Sequence, residues 1–434
     1  MRLILKRLRQ LLLKKDGFAR NVTLLTSSTA LAQALTIVAS PVLTRLYTPE
    51  DFGILAVYTS LLSLLVVVGS WRYQLAIPIA SNDLVAANVL ALSVITLVIM
   101  TLLSGFAMGL LGSHIVTWTN APELQPYLWL LPLGLIGAGM YQVLNYWAIR
   151  KQTFGYLAQT KLSQGLGQLI TQLVLGLIDL RPLGLLVGDV VGRMAGSSRI
   201  ATLAWKQSQT VFREISVPQM RSVASRYWRF PVLSGSSALL NSAGLQLPAL
   251  LIAAFYGTQV AGWFALGQRI IGIPMALIGI SVSQVYFSEA ARLLQDNPEE
   301  LRPFFFKTTR RLLAIGILPI GIIAMGGPWL FNLVFGKAWL EAGKYVQILA
   351  LMFLVQFVVV PLSQTLNVLE RQDLQLAWDA SRLLLVIGSL QISTILELPA
   401  RTALILYSIA MLFSYCCLFL LTSISLNQQV SRKL

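Results

Sequence analysis

Two long apolar runs, residues 21–44 and 53–80, are joined by Arg45-Leu46-Tyr47-Thr48-Pro49-Glu50-Asp51-Phe52. Few folds accommodate that pattern. About 20 apolar residues at 1.5 Å rise cross the ~30 Å hydrocarbon layer of a bilayer as one helix. The joint carries charge on both sides of Pro49 and closes on Gly53, so it reads as a tight turn in water. A faint copy of the unit returns 209 residues later. Tyr47, Gly53 and Ala56 fall on Tyr256, Gly262 and Ala265, and Leu24, Ser27, Ser28 and Ala34 on Leu233, Ser236, Ser237 and Ala243. A constant offset near half the chain length is what a duplicated transporter shows.

The rest of the chain continues the pattern. It is 56% hydrophobic and only 12% charged, with mean hydropathy +0.72. A soluble core cannot absorb that much apolar surface, so lipid and neighbouring helices must surround most side chains. The net charge of +16 is not a nucleic-acid footprint, because the basic residues cluster in the gaps between apolar runs, as topology determinants do. Cys416 and Cys417 lie inside the last apolar run and read as small hydrophobes. The one histidine, His114, leaves no basis for a histidine metal site or catalytic base, and no GxxxxGK[ST] motif occurs. The expectation is no catalytic residue, no metal and no cofactor.

The predicted fold is an all-α polytopic membrane protein of about 12 transmembrane helices in two pseudo-symmetric six-helix bundles. The bundles occupy 21–205 and 231–434. Their spans are 21–44, 53–80, 84–111, 127–148, 156–180 and 182–205, then 231–256, 261–288, 311–335, 345–369, 375–397 and 402–425. Residues 1–20 alternate Leu and Ile with Arg and Lys, a basic amphipathic helix suited to the bilayer lipids of an anionic surface. Residues 206–230 form a basic cytoplasmic linker. With both termini cytoplasmic, the inner loops hold about 22 Lys and Arg and the outer ones about 5, the asymmetry that orients membrane proteins.

Charges inside spans are the functional candidates, since each costs ~2.5–3.5 kcal/mol or more at the bilayer centre unless water or a partner meets it. The cations are Arg72, Lys161, Arg193, Arg199, Arg269 and Arg382, against Asp189 and Asp379. Snorkelling to the headgroups is the competing reading for Lys161 and Arg199. Arg193 lies too deep for it. A wet, positive cavity for a phosphate or pyrophosphate is the functional reading, with Arg72, Lys161, Arg193, Arg269 and Arg382 as its binding residues. Asp189 to Arg193 and Asp379 to Arg382 also have intrahelical ion-pair spacing, and either aspartate is a candidate for proton or sodium coupling. Gln164, Gln168 and Gln172 share a helical face with Lys161, as do Thr26, Thr29, Gln33, Thr36 and Ser40 with one another. Such stripes line a water path or glue two helices together; the water path is the expectation. Gly184, Gly188, Gly192 and Gly196 form a ridge that another helix can approach closely.

Thr44-Arg45-Leu46-Tyr47-Thr48-Pro49-Glu50-Asp51-Phe52-Gly53 resembles the end of the first hairpin in bacterial polysaccharide (O-antigen repeat-unit, Wzx-type) flippases. Arg72-Tyr73-Gln74-Leu75-Ala76-Ile77-Pro78 is similar to the close of their second span. Tyr256-Gly257, Val260-Ala261-Gly262-Trp263-Phe264-Ala265 and Gln268-Arg269-Ile270 are similar to their seventh-to-eighth-span region. These belong to the multidrug/oligosaccharidyl-lipid/polysaccharide (MOP) exporter superfamily. The resemblance implies a V-shaped exporter in the bacterial cytoplasmic (inner) membrane. It implies alternating-access transfer of a lipid-linked oligosaccharide, an O-antigen or exopolysaccharide unit on polyprenyl pyrophosphate, to the periplasmic leaflet. It carries Arg72 and Arg269 over as cavity cations, and a polysaccharide polymerase and chain-length regulator as partners. Many relatives have an acidic residue where this chain has Gln74, which weakens a proton-coupling role there. A peptidoglycan-precursor flippase is an alternative. A drug or cation antiporter of the same superfamily predicts cavity carboxylates, opposite to the pattern here. A membrane enzyme predicts larger loops than these.

Overall fold

The computed structural model describes residues 17–433, with side chains described for 26–272, 275 and 278–427. Most of the predicted interfacial helix 1–20 therefore lies outside the described residues. Among them are fourteen α-helices and no strand: α1 Gly17–Leu46, α2 Pro49–Gly69, α3 Asp83–Trp118, α4 Leu130–Arg150, α5 Phe154–Leu177, α6 Leu183–Met194 and α7 Ser197–Arg213. There follow α8 Val217–Arg226, α9 Gly235–Asp296, α10 Pro298–Phe335, α11 Leu340–Leu362, α12 Gln364–Val368, α13 Gln372–Ile395 and α14 Ala400–Lys433. The protein is an all-α polytopic membrane protein.

Seven segments among the described residues are long and apolar enough to cross a membrane by length and composition alone. Fewer reach that mark than there are predicted spans, for physical reasons. α5 carries its glutamines and Lys161, α13 carries Asp379 and Arg382, and α6 and α7 are separated at Gly196, whose φ is +77°. The predicted spans 231–256 and 261–288 share α9, broken at Gly257, where φ is 86°. Predicted span 53–80 is shorter as a helix, since α2 ends at Gly69.

Chain contacts divide the molecule into two compact units. One comprises the described residues through Ser40, Leu65–Leu111 and Tyr127–Ser236. The other comprises Pro41–Leu64, Gly112–Pro126 and Ser237 onward. In the first, Tyr73, Ile77, Ala86, Val143, Trp147, Val223 and Tyr227 form a buried apolar cluster. The 206–230 connector thus enters the first unit's core through α8. In the second, Tyr286, Leu293, Phe305, Phe357 and Leu426 form another.

The α1–α2 turn shows why its residues are there. Thr48 N and Oγ1 donate to Asp51 Oδ2 (2.8 and 3.1 Å), and Asp51 N donates to Thr48 Oγ1 (3.3 Å). Pro49 opens the helix, where its missing N–H leaves nothing unsatisfied. This reciprocal cap starts α2 two residues after α1 ends. Trp339 closes over the turn, donating from Nε1 to Thr44 O at 3.1 Å and packing edge-on against Phe52.

Candidate functional site

The first unit places Arg72 in a loop. After Gly69, both Trp71 and Arg72 adopt left-handed φ, 48° and 61°. Each costs an L-residue roughly 1–2 kcal/mol, so surrounding structure must hold the bend. The stretch that follows the bend is tied down by Arg150 from α4. Its Nε meets Asp83 Oδ1 at 2.9 Å, and Nη1 donates to the carbonyls of Ile77 (3.1 Å), Pro78 (3.4 Å) and Ala80 (2.8 Å). Lys151 Nζ reaches Asp83 Oδ2 at 2.5 Å. Nearer Arg72, Ser70 Oγ donates to Gln74 Oε1 (2.7 Å), and Gln74 Nε2 to Gln142 Oε1 (3.4 Å). Arg72 itself is half-buried, and its Nε is buried without a hydrogen-bond partner.

Lys161 is half-buried on α5, its Nζ 4.6 Å from the centre of the Tyr141 ring on α4. The Tyr141 hydroxyl donates to Asn145 Oδ1 at 3.4 Å. Among the described residues neither Arg72 nor Lys161 is in an ion pair. Arg199 is exposed. Arg193 Nε pairs with Asp189 Oδ2 at 2.6 Å along α6, with the aspartate the more buried partner.

The glutamine stripe of α5 faces the glycine ridge of α6. A Cβ on Gly188 would overlap the Gln172 side chain, and one on Gly192 would sit 2.7 Å from Gln168 Cβ. Gln172 is buried and donates to Leu185 O at 3.2 Å; Gln164 donates to Arg193 O at 3.3 Å. The two helices meet backbone to backbone, with amides bonded across the seam. On α1, Thr36 donates to Ala32 O (3.1 Å) and Ser40 to Thr36 O (2.8 Å). Ala32 packs against Gly165 of α5. Thr26 is exposed and Thr29 half-buried. Gln33 is half-buried too, and its Oε1 is buried without a partner.

The second unit holds Arg269, half-buried on the latter part of α9, and Arg382 on α13. Arg382 is only 5% exposed. It meets Asp379 Oδ1 at 3.2 Å and Asn241 Oδ1 at 3.3 Å, with Trp378's ring 4.8 Å from its guanidinium carbon. Gly244 makes room, since a Cβ there would stand 2.8 Å from Arg382 Nη2. Arg382 Nε has no partner, and Asp379 also accepts from Gln375 at 3.4 Å. Sequence reasoning passed over Arg150, Gln142, Tyr141, Asn145 and Asn241. The neutral ones are single polar groups inside apolar runs, and that isolation was the available signal. Among the described residues no cluster of three His, Cys, Asp or Glu comes together to hold a metal.

These features define an all-α polytopic membrane protein, with half-buried cations and one buried arginine, Arg382, within or beside its helices. The chain belongs to the polysaccharide biosynthesis protein family, whose model matches residues 42–344. It is 26% identical over 197 residues to the teichuronic acid biosynthesis protein TuaB of Bacillus subtilis (strain 168), covering 45% of this chain and 40% of that protein. It is 24% identical over 323 residues to the succinoglycan biosynthesis transport protein ExoT of Rhizobium meliloti (strain 1021), covering 73% and 62%. The chain spans less than two thirds of the length of either relative. An inward-facing multidrug resistance MATE family transporter of the MOP superfamily superposes with TM-score 0.73 at 14% identity, over 94% of this chain and 96% of that one.

Proposed function

We propose that the chain is a flippase that moves a polyprenyl-pyrophosphate-linked oligosaccharide from the cytoplasmic to the periplasmic leaflet of a bacterial inner membrane by alternating access. The observation that carries this reading is the sign of the charge in and beside its apolar helices. Among the described residues Arg72, in the loop after α2, and Lys161, on α5, have no carboxylate partner, and Arg382 is almost fully buried against one. A diphosphate headgroup leaving the water of one leaflet needs cations and N–H donors in a low-dielectric setting, where they act most strongly. Named relatives support the substrate class, since one is a teichuronic acid biosynthesis protein and the other a succinoglycan transport protein. A drug-cation exporter, which the MATE likeness brings to mind, would instead need surplus carboxylates.

Energy enters through Asp189 or Asp379. Each is paired with an arginine, so a proton or sodium ion on the aspartate frees that guanidinium for the substrate's phosphates. The polysaccharide polymerase and chain-length regulator belong to the next steps, after the unit reaches the periplasmic leaflet. The test is export of lipid-linked glycan in cells lacking their own exporter. Arg72→Ala and Arg269→Ala each abolish export while the protein still inserts; wild-type export by both variants sinks the assignment.

A further inference from the structure

The connector 206–230, made of the second half of α7 together with α8, is not a bare tether. Lys206, Arg213, Arg221, Arg226 and Arg229 are exposed, against the single acidic residue Glu214. None of the five is in an ion pair among the described residues. Two tryptophans bracket the first four of them, Trp205 at 54% exposure and Trp228 at 51%. Indole rings with an apolar body and one N–H favour the headgroup depth of a bilayer. These two stand where predicted spans 182–205 and 231–256 leave and re-enter it. α7 runs only about 12 Å past Trp205 at helical rise, so the connector stays within headgroup reach.

The surface is held rigidly. Val223 and Tyr227 are buried in the first unit's core. Asn88 fixes the start of α8, accepting from Ser216 N at 3.2 Å and donating to Gln219 Oε1 at 2.8 Å. Arg221 and Ser225, one turn apart, lie on the face opposite Val223. Exposed Val217 lies among the cations.

We propose that the connector from Trp205 to Arg229 is a docking surface for anionic phospholipid headgroups. Cations alone would suit an acidic protein equally well. Half-exposed tryptophans at the ends of two predicted spans favour lipid, because they gain from the acyl boundary while the arginines take the phosphates.

The test uses full-length protein in vesicles. A bimane fluorophore is attached at Ser225→Cys in a Cys416→Ala/Cys417→Ala background, and at lipid-facing Ile392→Cys as a control. Quenching by brominated phosphatidylglycerol is compared with quenching by brominated phosphatidylcholine. The expected preference for the anionic lipid at position 225 is about fivefold or more, falling with salt. It disappears in Arg221→Gln/Arg226→Gln/Arg229→Gln and is absent at position 392 throughout. Equal quenching by both lipids at 225, or a preference that survives the triple variant, overturns the proposal. Quenching by neither puts this face in water and hands it to an acidic protein partner.

Discussion

Glu50 and Gln259, 209 residues apart in the chain, are joined side chain to side chain. They match under the 209-residue offset seen in the sequence, and the contacts around them are reciprocal. Gly53 lies against the carbonyl of Thr258, and Gly262 against the carbonyl of Pro49. Each partner is the other's counterpart under the same offset. Such a pair-exchange is the local signature of a two-fold relation, and it places α2's first turn against the turn after Gly257.

Gly53→Ala and Gly262→Ala test this. In each the new Cβ would overlap a backbone carbonyl, which cannot rotate away. Alanine's helix propensity returns about 0.8–1.0 kcal/mol, less than the clash takes. The expected net loss is about 1–3 kcal/mol for each variant, read as thermal unfolding of detergent-solubilised protein. The double variant loses clearly less than the two together, because one separation relieves both clashes. Fully additive losses mean that the contacts are independent.

Arg150 should be irreplaceable by lysine. Its planar fork serves a carboxylate and three carbonyls at once, which a point charge cannot. Arg150→Ala costs about 2–3 kcal/mol through lost charge-assisted bonds, and Arg150→Lys recovers little of it. Export falls further than stability explains, because residues 77–83, which follow the loop carrying Arg72, lose their anchor on α4. Lysine restoring both melting temperature and export would reduce the clamp to a simple ion pair.

Arg382 and Asp379 call for a double-mutant cycle. Removing one member of a buried pair strands the other, at about 3–5 kcal/mol. Asp379→Asn and Arg382→Gln are each expected to destabilise strongly, and the double variant less than either sum. Export stays absent in all three. A double variant that regains export would make the pair structural and take Arg382 out of the proposed site.

Much of the fold was legible, because apolar runs and charged turns act locally. Thr48-Pro49-Glu50-Asp51 carries its own cap, and Gly257 marks the break in α9. The end of α2 was not legible. Residues 70–80 stay mostly apolar, and the helix stops at a pair of left-handed residues, Trp71 and Arg72, which apolar patterning does not reveal. The site was legible as charges and little else. Arg382's setting depends on Asn241 and Gly244, which look ordinary in an apolar run until the fold sets them beside it. The glutamine stripe of α5 and the glycine ridge of α6 were each visible. Their contact was not, since periodicity gives a face but no partner.

That contact makes opposite predictions for two glutamines. Gln172 is bonded across the seam and lies against Gly188. Gln172→Leu gives up the bond to Leu185 O and pushes a branched side chain into the ridge, so stability falls by about 1–3 kcal/mol. Gln33 differs, because its Oε1 is buried without a partner, a cost that a leucine of similar size removes. Gln33→Leu is therefore expected to unfold no lower than the wild type while losing export, as follows when a residue is kept for the substrate and not for packing. Thermal unfolding alongside glycan export separates the two. A Gln33→Leu variant as unstable as Gln172→Leu would show that the stripe on α1, like that on α5, is helix glue.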